Sequence, residues 1–131
     1  MRIDFQNDFV HPNGALSLKD IDLIRKHQIL ANSSTMQQFD KIIDTYDNHF
    51  ENTYPNTTEA QNFPLHCVYG TWGWQQAAPF PDKTNVVQMY KSTTNIWNEV
   101  TQYRDLQNDW SNKIVYLCGV LSDVCVQQAL N

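Results

Sequence analysis

The chain has 131 residues, 41% of them hydrophobic and 12% aromatic, and carries a net charge of −5 at neutral pH. This length supports one compact domain, 1–131, and a core that buries roughly two-thirds of the unfolded surface. Acids and bases are interspersed without a basic patch or stripe, so nucleic acid and anionic membrane are not the expected partners.

The first residues, MRIDFQNDFV, place an acid at the fourth position and lack the apolar stretch of a secretory signal. No run approaches the roughly 20 apolar residues of a membrane span. Cys67, Cys118 and Cys125 are an odd set, so a cytoplasmic protein without a disulfide framework is expected.

Short β-rich runs alternate with helical spacing, which predicts an α/β fold with a mostly parallel sheet. The first strand is expected at 2–5, followed by a helix over 19–30, where Ile21, Leu23, Ile24, Ile29 and Leu30 share a face. A second strand is expected at 41–46, interrupted by Asp44. Between it and a third strand at 85–90 lie about forty residues holding every proline after Pro12, with Gly70 and Gly73; a loop that long is usually functional. Ile96, Val100, Tyr103 and Leu106 predict a helix over 96–108. The nearly continuous apolar run 113–120, KIVYLCGV, is expected to be a central strand covered on both faces. A last helix would begin at Ser122 or Asp123, either of which could cap it.

Asp4, Asp47, Lys91 and Cys125 each fall at or just past the end of a different predicted strand. In parallel sheets ligands sit at those carboxyl ends. Cys125 would lie in the first turn of the last helix, where free N–H groups and a nearby lysine favour a thiolate; the plainer alternative is a small packing residue. Asp4 could accept a thiol proton and return it to a leaving amine, or simply serve a loop. Lys91 could balance their charges, although most strand-end lysines are solvated. Asp47-Asn48-His49, with Glu59 and His66 further along the loop, forms a mixed nitrogen and oxygen set suited to a divalent ion. His11 and His27 lack such company and are expected at the surface.

Four segments resemble the nicotinamidase/isochorismatase superfamily. They are Asp4-Phe5-Gln6-Asn7-Asp8-Phe9 followed by Pro12-Asn13-Gly14-Ala15-Leu16; Thr45-Tyr46-Asp47-Asn48-His49; Phe63-Pro64-Leu65-His66-Cys67-Val68-Tyr69-Gly70-Thr71; and Cys118-Gly119-Val120-Leu121-Ser122-Asp123-Val124-Cys125-Val126. They occur in the family's order. The resemblance implies a Rossmann-like three-layer sandwich and a catalytic set of Asp4, Lys91 and Cys125. It also implies a cis peptide between Val120 and Leu121, with the N–H groups of Leu121 and Cys125 as an oxyanion hole.

Within the superfamily the isochorismatase branch lacks the metal ligands, so Asp47, His49 and His66 favour the nicotinamidase side. The implied cofactor is zinc, with iron or manganese as alternatives. Some relatives supply a fourth ligand as a histidine six residues after the first, where this chain has Pro55. Others use a glutamate seven residues before the last histidine, which is Glu59. Phe9 and Phe63 match the rings that sandwich the substrate, and Trp97 could add a wall. The chain stops soon after the nucleophile motif, so it is expected to lack the carboxyl-terminal strands of its relatives and to need either the missing segment or a partner surface, a homo-oligomer being the expected form of the latter. Three functions remain open: nicotinamide deamidation, hydrolysis of another carbamoyl or small acyl amide, and a non-catalytic binding subunit.

Overall fold

The computed structural model describes residues 1–102, 110 and 112–131, without the side chains of 100–102. Four strands, β1 (Arg2–Ile3), β2 (Ile42–Asp47), β3 (Val86–Lys91) and β4 (Cys118–Gly119), form one parallel sheet in the order β3-β2-β1-β4. The chain steps from β1 to β2 to β3 in one direction, then crosses back to place β4 on the other side of β1. That reversal puts the topological switch point between β1 and β4, and the carboxyl ends of the strands there are the usual ligand position in such sheets.

Among the described residues the α-helices are α1 (Asn7–Val10), α2 (Ile21–Ala31) and α3 (Cys125–Leu130). The α2 helix starts two residues later than expected, because Asp20 caps it by accepting the Leu23 N–H at 3.0 Å. The helix expected over 96–108 begins as a 3₁₀ helix at Ile96–Gln102; its remainder, 103–108, lies outside the described residues. The α3 helix begins at Cys125, with Val124 and neither Ser122 nor Asp123 at its cap position.

Strand β2 is buried at every position. Asp44 does not break it, because the register sets Asp44 beside Arg2 on β1. The guanidinium grips both carboxylate oxygens at 2.8 Å, in a pair shielded from water. The Arg2 guanidinium also lies over the Phe80 ring.

The expectation of a central strand over 113–120 is overturned. Only Cys118–Gly119 joins the sheet, and it does so at an edge; Ile114 is 83% exposed and Tyr116 65%. A continuous apolar run signals surface that suits burial. It does not say what stands on either side. Gly119 is required at this edge, for its φ is +129° and a Cβ there would strike the Ile3 backbone.

The main core joins Phe5, Phe9, Val10, Ile24, Cys67, Ala78 and Val120, so it links α1 and α2 to the loop carrying Cys67. His27 is half-buried in its ring contact with Phe5, the two stacked at 3.8 Å. His11 is half-buried edge-on against Trp72. Neither is the free surface histidine expected from sequence. No helix among the described residues is long and apolar enough to cross a membrane.

Candidate active site and metal centre

Asp4 leaves the end of β1 with φ at +47°, a left-handed conformation that aspartate tolerates better than most side chains. Its carboxylate is fully buried, accepts the Thr45 hydroxyl at 2.6 Å, and lies 2.7 Å from Lys91 Nζ. Lys91 is the last residue of β3 and the register partner of Asp47, the last residue of β2. Side chains at paired positions project to the same face, so Lys91 Nζ also reaches Asp47 Oδ1 at 3.2 Å. The same ammonium donates to Cys125 Sγ at 3.8 Å. Three strand ends and the first residue of α3 thus bring two acids, one cation and one thiol together.

Burial sets the protonation states. It pushes the Asp4 carboxyl up against the opposing pull of Lys91. Lys91 is desolvated as well, yet the charges of Asp4 and Asp47 outweigh this and hold its ammonium well above the usual lysine range. Burial pushes the Cys125 thiol up too, and the charges of Asp4 and Asp47 add to it beyond what Lys91 offsets. Burial first, then the charges of Asp4 and Asp47, favour the neutral thiol over the thiolate that the helix start and Lys91 alone would favour.

The second group adjoins the first through Asp47. Its Oδ2 lies 3.1 Å from His49 Nε2 and 3.0 Å from His66 Nε2. Glu59 completes the set, with oxygens 3.7 Å from His49 Nε2 and 3.8 Å from His66 Nε2. Asp47, His49, Glu59 and His66 offer donor atoms within 4.8 Å of one another. The His66 Nδ1–H donates to the Pro64 carbonyl at 2.7 Å, which leaves Nε2 as the ring nitrogen that would face an ion. Glu59 Oε2 is buried without a hydrogen-bond partner. Two imidazole nitrogens and two carboxylates, one of them with an orphaned oxygen, fit a divalent cation. Burial disfavours the Asp47 acid anion, but Lys91 and the two histidines overcome this and hold its carboxyl well below the usual range.

Phe9 and Phe63 both present edges to His66, with ring centroids at 5.4 and 6.5 Å. Trp97 is not in their company; its indole N–H donates to the Ala129 carbonyl and its ring packs edge-on against Trp110. The Val120–Leu121 peptide is cis, and the Leu121 carbonyl accepts the N–H groups of Val124 and Val126 as α3 begins.

Sequence reasoning missed the supports. The Gln6 amide clasps the backbone of Asp47, accepting its N–H at 2.8 Å and donating to its carbonyl at 2.9 Å. Asn7 Nδ2 donates to the Trp72 carbonyl, and Asp8 accepts the Cys67 N–H at 2.7 Å. This tripeptide staples down the loop that carries His66. The available signal was three polar residues flanked by Phe5 and Phe9, whose burial carries the neighbours inward.

The isochorismatase domain model matches residues 2–131. Comparison with curated protein sequences gave no match. Among solved structures the chain is similar to a pyrazinamidase/nicotinamidase from Streptococcus mutans, with 28% identity over 98% of this chain and 75% of that one, at a TM-score of 0.79. It is similar to a pyrazinamidase of Pyrococcus horikoshii in complex with zinc, with 28% identity over 97% of this chain and 73% of that one, at 0.72. A protein from L. infantum in complex with nicotinate shares 26% identity over 94% of this chain and 66% of that one, at 0.68. The match to the family model spans the chain from its first strand to its last helix, and the chain belongs to the isochorismatase domain family.

Proposed function

We propose that the chain is a cysteine hydrolase of carboxamide C–N bonds that converts nicotinamide to nicotinate and ammonia. The observation that carries this reading is the contiguity of a buried Asp4–Lys91–Cys125 group with a donor set for a divalent cation. The similarity to nicotinamidases and pyrazinamidases supports the substrate class.

In this reading Asp4 takes the Cys125 proton as Sγ attacks the carboxamide carbon. The N–H groups of Leu121 and Cys125 hold the developing oxyanion. Asp4 then returns the proton to the departing nitrogen, and ammonia leaves a thioester. Water gives its proton to Asp4 and attacks the thioester; Asp4 passes that proton to the departing Sγ, which restores the thiol as nicotinate leaves. Lys91 stays protonated throughout and keeps Asp4 ionised at the start of each half-reaction. Phe9 and Phe63 would flank the pyridine ring. Asp47, His49, Glu59 and His66 would hold zinc, or iron or manganese in its place. When bound, such an ion supplies a Lewis-acid position for the ring nitrogen and so orients the carboxamide.

Ammonia release across a panel of nicotinamide, pyrazinamide, benzamide and small aliphatic amides tests the assignment. Nicotinamide and pyrazinamide should turn over, and benzamide, which lacks the ring nitrogen, should be slow. Equal rates for benzamide and nicotinamide would remove the role given to the ion.

A further inference from the structure

Asp47 belongs to both groups of the site. Its Oδ1 faces Lys91 at 3.2 Å, and its Oδ2 faces His49 and His66 at 3.1 and 3.0 Å. Each oxygen thus has its own partners. The Gln6 amide clamps the Asp47 backbone from both sides, and the side chain is sealed from water. Lys91 in turn divides its charge between Asp47 and Asp4, the latter nearer at 2.7 Å.

We propose that Lys91 and a divalent ion held by Asp47, His49, Glu59 and His66 share the charge of Asp47, so that the catalytic lysine sets the ion affinity of the adjoining centre. This rests on the metal reading above. In a buried site, charges a few ångströms apart interact far more strongly than in water. Removing the ammonium gives the whole Asp47 charge to the ion and withdraws a cation from beside it. Removing the Asp4 charge does the reverse, because Lys91 is then balanced by Asp47 alone. Linkage is reciprocal. An ion at the centre weakens the hold of Asp47 on Lys91 and turns the ammonium toward Asp4 and Cys125, where the chemistry takes place.

The test is chelator competition with cobalt(II) alone, without substrate, on metal-stripped wild type, Lys91→Met and Asp4→Asn near neutral pH. Lys91→Met should bind cobalt about tenfold more tightly and Asp4→Asn several-fold more weakly, magnitudes typical of contacting charges. Lys113→Met, which removes an exposed pair with Asp40, should leave the affinity unchanged. Opposite signs separate this coupling from structural damage, which weakens both variants. Equal affinity in all proteins, or weakening in both variants, overturns the proposal. If Lys91→Met does not fold, Asp4→Asn still decides, since unchanged or tighter binding there is contrary. A folded wild type that binds no cobalt would overturn the metal reading itself, and the coupling with it.

Discussion

Lys91 Nζ lies 2.7 Å from Asp4 Oδ2, and both side chains are sealed from solvent. A lysine at a strand end is ordinarily solvated, and changing it costs little. Here it is the cation that lets Asp4 and Asp47 remain ionised together at close range.

Lys91→Met should therefore lower turnover at neutral pH by at least about a hundredfold, the scale of lost acid–base catalysis. The sign follows from the charges: Lys91 lowers both the Asp4 and the Cys125 pKa, so its loss raises them further. Less Asp4 carboxylate remains to act as base, and less thiolate forms. Alkylation of Cys125 by iodoacetamide should slow in parallel. Unchanged alkylation and unchanged turnover would make Lys91 a structural residue.

His49→Ala and His66→Ala each delete one imidazole from the donor set. Ion affinity should fall by more than about a hundredfold, beyond the effect of removing a mere support of a ligand. His11, packed on Trp72 and accepting the Asn13 N–H, should be replaceable by alanine with full metal content. Elemental analysis of the three purified variants settles this.

Cys118 is half-buried on the edge strand, with Sγ 3.8 Å from the Met1 carbonyl. Cys118→Ala should cost about 1 kcal/mol of stability, the ordinary loss for a partly buried small side chain, and leave turnover intact. Denaturant midpoints and initial rates measured on the same preparation would show the split.

His27 is held neutral, its pKa lowered to about 4 by burial and the nearby Arg2 charge. In the unfolded chain it titrates near the usual value of about 6.5. The stability linked to its neutral form is thus fully present above that value. It is lost as pH falls toward 4, where the unfolded chain takes the proton first. The loss should be on the order of 1–2 kcal/mol, once the shift is discounted for partial exposure. His27→Phe keeps a ring on Phe5 and should abolish that part of the slope between pH 7 and pH 5. Identical pH dependence of urea midpoints in the two proteins would count against it.

Much of the site could be read from residue types at strand ends, because a parallel sheet collects those ends on one edge whatever the loops do. Asp47 and His49 are two residues apart, and Glu59 joins them through the long loop. The supports were harder to read. Gln6, Asn7 and Asp8 look like ordinary loop residues, and only their three-dimensional partners show that they pin the loop of His66. The environment of Cys125 was hard to read for a related reason: spacing shows one lysine but not how deeply the thiol and two carboxylates are buried beside it. The run 113–120 was misplaced because hydrophobicity reports suitability for burial and not strand order.

The central claim is that Cys125 is the nucleophile of a nicotinamide-hydrolysing centre. The most direct measurement is ammonia release from nicotinamide by the metal-loaded protein, wild type against Cys125→Ala, with metal content and folding checked in both. The account predicts turnover by the wild type and none above background by Cys125→Ala, although the variant retains its ion. A Cys125→Ala protein that still releases ammonia, or a folded, metal-loaded wild type that releases none, would contradict it.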